Sequence, residues 1–366
     1  TTEIYTLSLH DALPIFGADP PEGSLISFLP APEFFVLRLR VQYSGRTVNF
    51  MSAWHGESQS AAESSTFSSL ESADLSGYRS HQDRRLSTGG KVLRIVIAVA
   101  MMFACALTPA LLKQIPAIQS FALAHESPDD LLESFAVGAC VLLIYGAAVV
   151  LALVLCYVLR RTLDRGRHIR LCLRIDRRAL LWLTGMVLAA LVVELAVGGT
   201  IHLLGLAGGD QSAPQGSLWL VVIESFSIAF LLQGAPEEII WRGWLFSSLG
   251  ETRFAVVASV LGFTVPHLLS QGGQQNLLEH ITYLALPCGF AVTAMIVRIV
   301  SGSTWAAIGV HGGIHLVNYY VADPLHLPAG SVTWVLQGLL WAAVGVVILV
   351  FHRRQRRLAT SSVSES

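Results

Sequence analysis

Three ionisable residues fall within six positions of one apolar stretch, "APEEIIWRGWLF" at 235–246: Glu237, Glu238 and Arg242. The residues before it, "SLWLVVIESFSIAFLLQG" at 217–234, have the composition of a membrane span. A charge at the centre of a membrane helix costs about 2.5–3.5 kcal/mol on insertion scales, so charges retained there call for a function. On a helix Glu238 and Arg242 stand at i and i+4, share a face and can pair. Glu237 is rotated about 100° away at 3.6 residues per turn. It is left as a carboxylate without a counter-charge in a low dielectric, a setting that makes a general base usable near neutrality. The competing reading makes all three residues polar glue along a helix–helix seam.

Two further apolar segments carry histidines. In "GFTVPHLL", 262–269, His267 follows Pro266, which frees a backbone carbonyl and distorts the helix locally. In "IGVHGGIHLVNYY", 308–320, His311 and His315 stand at i and i+4 and so present both imidazoles to one side. That spacing can offer two nitrogens to one metal or to one substrate oxygen. Gly309, Gly312 and Gly313 strip bulk from the same turn and admit a neighbouring backbone or a substrate. Asn318, three residues beyond His315, could orient its ring. A lone histidine in a span is more often a packing residue, and a histidine pair at this spacing also arises by chance. Taken together, carboxylates and histidines on three segments make the ingredient list for activating a water molecule. Glu194, Glu224 and His202 also lie in apolar segments, but without neighbours of complementary type they read as structural.

Composition sets the solvent in which these residues work. Of 366 residues 53% are hydrophobic and 13% charged, with mean hydropathy +0.58 and net charge −1. A soluble domain carries about 25% charged residues. The five cysteines, Cys105, Cys140, Cys156, Cys172 and Cys288, have neither disulfide-framework nor Cys-x-x-Cys spacing and read as bystanders. Spans of about 20 apolar residues are expected at 92–112, 135–159, 180–204, 217–234, 254–270, 283–300, 303–320 and 332–352. Pro236 is expected to begin a new helical segment after the fourth. The sequence therefore predicts an all-α membrane protein, a polytopic bundle of about eight transmembrane helices with a disordered N-terminal segment.

Residues 3–15, "EIYTLSLHDALPI", resemble a translated sequencing adaptor, and the first methionine is Met51. Residues 1–50 are accordingly expected to be non-native. Residues 51–90, with eleven serines, are expected to form a disordered cytoplasmic tail, 91–352 the membrane domain with its core at 217–320, and 353–366 a basic cytoplasmic tail.

At the three polar segments the sequence resembles the CPBP family of intramembrane proteases, which includes CAAX prenyl endopeptidases and the bacteriocin-immunity Abi proteins. Its Glu-Glu-x-x-x-Arg motif is matched by Glu237, Glu238 and Arg242, with the frequently following glycine at Gly243. Its Phe-x-x-x-His motif is matched by Phe263 and His267. The first position of its His-x-x-x-Asn motif is matched by His311, while His315 stands where the family has asparagine. The resemblance implies an endopeptidase that cleaves a membrane-associated protein or peptide. In it Glu237, assisted by His267, would activate water; His311 with His315 would polarise the scissile carbonyl or hold the oxyanion, and Glu238 with Arg242 would shape the pocket. On this reading Glu237 is free to meet His267 and His311. Glu237, His267, His311 and His315 are also enough ligands for a divalent metal such as zinc, and a metal-free glutamate–histidine mechanism would use the same residues. Two other classes stay open: a non-catalytic membrane immunity protein that binds a peptide toxin, and a proton-coupled carrier using Glu194, Glu224 and Glu237. The halves show no inverted repeat of the kind carriers use. The expected partners are the lipid bilayer and the membrane-associated substrate, with no nucleic acid.

Arginine placement orients the stack. The segment 160–178 holds eight arginines and 352–357 four more, whereas 113–134, 205–216, 271–282 and 321–331 together hold a single basic Lys or Arg side chain, Lys113. The positive-inside rule puts both arginine clusters, and with them both termini, on the cytoplasmic face of a cell (plasma or inner) membrane. Single-cysteine variants at positions 168 and 355 should resist an impermeant thiol reagent applied outside intact cells. Outside labelling of either position contradicts the assignment.

Overall fold

The computed structural model describes residues 86–125, 131–208, 218–270, 272–322, 324–325 and 327–364. The expectations for 1–50, and for nearly all of the serine-rich tail, lie outside these. Among the described residues there are nine helices and no strand: α1 (Thr88–Leu112), α2 (Pro116–Ala124), α3 (Leu131–Arg161), α4 (Arg177–Leu203), α5 (Leu218–Ser248), α6 (Arg253–Leu269), α7 (Leu277–Ser301), α8 (Thr304–Val321) and α9 (Ser331–Ser364). The all-α membrane fold is borne out. Six helices, α1, α3, α4, α5, α7 and α9, are long and apolar enough to cross a bilayer. The other two expected spans are helices of a different kind. α6 has only 17 residues, and α8 carries two histidines, an asparagine and two tyrosines among its 18. The site histidines His267, His311 and His315 lie on these two. α1 begins at Thr88 inside the expected tail, capped by the Ser87 hydroxyl accepting from the Gly90 N–H. α9 runs on through "HRRQRR" to Ser364.

Large apolar side chains point outward along α1, α3, α4 and α9, among them Val96, Leu143, Val192 and Val350. Such a surface suits lipid rather than water, and helices satisfy their own backbone groups there. The chain is a multi-pass membrane protein. α5 and α7 are the most enclosed of the long helices, and α5 packs against α1, α3, α6, α7 and α8.

Pro236 does not end α5. Proline has no N–H and its ring excludes the carbonyl four residues back. The helix absorbs this by widening to π register over Ser227–Gly234, so that the Ala235 N–H bonds to the Phe230 carbonyl five residues earlier. A short α segment, Ala235–Glu238, follows, and then a second π stretch, Ile239–Leu245. The rod continues unbroken to Ser248, with Glu237 and Glu238 between the two π stretches and Arg242 in the second.

The arginine-rich segment is not simply a solvated loop. Asp164 in it is fully buried and accepts from Arg94 Nη2 at 2.6 Å and from Trp244 Nε1 at 2.9 Å. Arg167 donates to the Ser248 carbonyl at 3.0 Å, and the Arg170 N–H to the Ser247 hydroxyl at 2.9 Å. The Thr304 hydroxyl donates to the Leu171 carbonyl at 2.6 Å, and Trp305 Nε1 to that of Leu173 at 2.9 Å. The segment thus ties the end of α5 to the start of α8.

Within the bundle α5 and α8 touch backbone to backbone. A Cβ at Gly234 would lie 2.9 Å from both the Ala229 carbonyl oxygen and the Gly312 nitrogen. Gly234→Ala is therefore expected to force the two helices apart and cost about 1–3 kcal/mol, the usual cost of overpacking. Gly199→Ala on α4, where a Cβ meets nothing within 4 Å, should be neutral in the same thermal melts. Equal stability of the two variants would show that the α5–α8 contact is not tight.

Candidate functional site

The α5–α8 contact puts His311 beside the acidic pair. Arg242 Nη1 donates to Glu238 Oε1 at 3.0 Å, and His311 Nδ1 donates to the same oxygen at 3.1 Å. Arg242 Nη2 also donates to the Ala291 carbonyl of α7 at 3.0 Å. Glu238 and Arg242 are wholly buried, and His311 almost so. One carboxylate oxygen thus gathers a guanidinium from its own helix and an imidazole from another. Helical spacing brings Glu238 to Arg242, whereas the reading drawn from the family resemblance offers His311 to Glu237. The structure instead gives His311 to Glu238, because the turn at Gly312 lies against α5.

Phe263 of α6 forms the floor of the site and is fully buried. The Arg242 guanidinium lies over its ring, 4.7 Å from the centroid, a cation–π contact in a desolvated setting. The His267 ring is 4.7 Å from it and the His311 ring 5.5 Å, edge-on. His267 Nδ1 donates to the Phe263 carbonyl at 2.9 Å, which the 3₁₀ turn after Thr264 and the proline at 266 leave accessible. That bond fixes the ring and leaves Nε2 as an acceptor. Phe290 of α7 packs on His311 at 4.9 Å, and His315 lies 5.1 Å from His311, ring to ring. His267 and His311 therefore share one aromatic floor, and His315 lies beside His311.

The site has a closed half and an open half. Glu238, Arg242, Phe263 and His311 are buried, whereas Gln233, Glu237, His267, Tyr283 and His315 are partly exposed. Glu237 Oε2 is buried without a hydrogen-bond partner among the described residues. Tyr283 of α7 and Cys105 of α1 lie within electrostatic reach of Glu237. Asn318 is exposed. Glu194 sits elsewhere, fully buried and accepting from Gln337 Nε2 of α9 at 2.9 Å.

A metal would need three or more converging ligands. Among the described residues no group of three His, Cys, Asp or Glu side chains is arranged to hold one.

Residues 214–317 match the family model described as Type II CAAX prenyl endopeptidase Rce1-like. The match takes in Glu237, Glu238, Arg242, Phe263, His267, His311 and His315, and it accords with the CPBP resemblance of this segment. It implies a protease. No curated protein and no solved structure matches the chain.

Sequence reasoning passed over Gln233, Tyr283 and Phe290. Gln233 did carry a signal, as a polar residue in a span four positions before Glu237. Phe290 carried none, being one apolar residue in an apolar helix. The two carboxylates should respond oppositely to neutralisation. Glu238→Gln strands Arg242 and weakens the hold on His311, with an expected loss on the order of 3 kcal/mol. Glu237→Gln removes an unpaired charge and should be neutral or stabilising. Thermal melts of the two purified variants check this, and equal destabilisation would contradict the division.

Proposed function

We propose that the chain is an intramembrane endopeptidase that hydrolyses a peptide bond of a membrane-associated protein or peptide with a water activated by Glu237. The observation that supports this most is the asymmetry of the adjacent carboxylates. Glu238 engages Arg242 and His311 through Oε1, although its Oε2 is unpartnered. The buried Oε2 of Glu237 has no partner, no ion pair joins Glu237 to a cation among the described residues, and its side chain borders the open half of the site. The family description names CAAX prenyl endopeptidases. The substrate class proposed here is broader, since no side chain of the site by itself selects a prenyl group.

In the proposed reaction Glu237 takes a proton from water, and His267 Nε2 orients that water by accepting its second hydrogen. The water oxygen bonds to the scissile carbonyl carbon, and the carbonyl electron pair moves to oxygen. His315 faces that oxyanion as a donor, and His311 joins it only when its Nε2 carries a proton. Glu238 stabilises the His311 imidazolium through Nδ1, as the carboxylate of a catalytic triad does for its histidine. The C–N bond then breaks and the proton on Glu237 passes to the leaving amine. A histidine in place of asparagine keeps a hydrogen-bond donor at the oxyanion.

Purified protein assayed on a library of membrane peptides tests the proposal. Glu237→Gln, His267→Ala and His311→Ala should each lower cleavage by at least ~100-fold, in the range general acid–base groups contribute. His315→Asn should keep substantial activity. Because the histidines do not form a three-ligand set, cleavage should persist after dialysis against a strong zinc chelator. Full activity of Glu237→Gln would overturn the proposal. Loss on chelation that zinc restores would replace the metal-free route. A wild-type protein that binds a peptide without cutting it would favour the immunity reading.

A further inference from the structure

Gln233 lies one turn before Glu237 on α5, at i and i+4, so the two share a face. Its residue is half-buried, as is Glu237. Its Oε1, like Glu237 Oε2, is buried with no hydrogen-bond partner among the described residues. Leaving such an acceptor unpaired costs about 1–3 kcal/mol. Two orphaned oxygens on one face, one of them on the proposed base, mark a place where a ligand supplies the missing donors. Gly234 cannot change without forcing α5 from α8, so the backbone that presents Gln233 is held as firmly as the one that presents Glu237.

We infer that Gln233 binds the main chain of the substrate, its Oε1 accepting one peptide N–H beside the bond that Glu237 attacks. This rests on the proteolytic reading above. A segment entering a membrane site brings peptide N–H groups that must be paired there, and a carboxamide offers an acceptor and a donor matching those of a peptide unit. Four helical residues rise about 6 Å. An extended chain advances about 3.3 Å per residue. A strand running along α5 therefore places the bound N–H about two residues from the scissile bond. Gln233 recognises backbone and so sets substrate affinity and register without choosing side chains.

The test combines a protein change with a substrate change. Peptides cleaved by the wild type are N-methylated one position at a time, which removes a single N–H. In the wild type, methylation about two residues from the cleaved bond should raise KM roughly tenfold, the value of one buried hydrogen bond. Gln233→Met should raise KM similarly on the unmethylated peptide, with kcat within about twofold, and should show no further loss on the methylated one. Gln233→Asn, which keeps a carboxamide, separates loss of the bond from misfolding and should fall between the two. Additive losses from methylation and Gln233→Met, or unchanged KM in Gln233→Met, overturn the inference while the protease reading stands. Absence of cleavage by the wild type, or cleavage that survives Glu237→Gln, overturns both.

Discussion

The site depends on a single carboxylate oxygen. Glu238 Oε1 accepts from Arg242 and from His311 in a setting closed to water, and each charge there would be costly without the others. The guanidinium has further neighbours in the Ala291 carbonyl and the Phe263 ring. This arrangement confines the compensated charges to the closed half of the site. The adjacent Glu237 then borders the open half without a counter-charge, so the two glutamates of the motif have different work despite their adjacency.

The scaffold is arranged around that contact. Proline at 236 pushes α5 into π register, and the widened turns carry Gln233, Glu238 and Arg242 on their flanks. Single-turn π widenings are frequent at functional sites, because they reposition side chains without ending the helix. The glycines at 234 and 312 then let α5 and α8 meet at backbone distance, bringing a residue 73 positions away into hydrogen-bond range. At the end of α5 the buried Asp164 holds Arg94 and Trp244 together, and the same segment reaches Thr304 at the start of α8. Both partners of the site contact are thus tied at a common base.

Much of this was legible in the sequence, because ionisable residues stand out against hydrocarbon. The helical class, the site-bearing segments and the resemblance carried by Glu237, Glu238, Arg242, Phe263 and His267 all follow from that contrast. The partner of His311 did not follow. Helical spacing fixes neighbours within one helix, whereas pairing across helices depends on which small residues let them approach. The π register was hidden because proline at 236 reads equally well as a helix start. The role of Asp164 was hidden by the eight arginines around it, which make a buried segment look solvated. α6 and α8 are shorter or more polar than ordinary spans, and they carry the site histidines.

A double-mutant cycle between Glu238 and Arg242 tests the central claim most directly, by comparing the stabilities of Glu238→Leu, Arg242→Met and the double variant. The account requires strong coupling, on the order of 2–3 kcal/mol. The double variant should be nearly as stable as the parent, because two apolar groups replace a buried pair at little cost. It should still be inactive, because His311 has lost its acceptor. Additive destabilisation, or a double variant that cleaves as fast as the parent, would contradict the claim that Glu238 holds the site while Glu237 performs the chemistry.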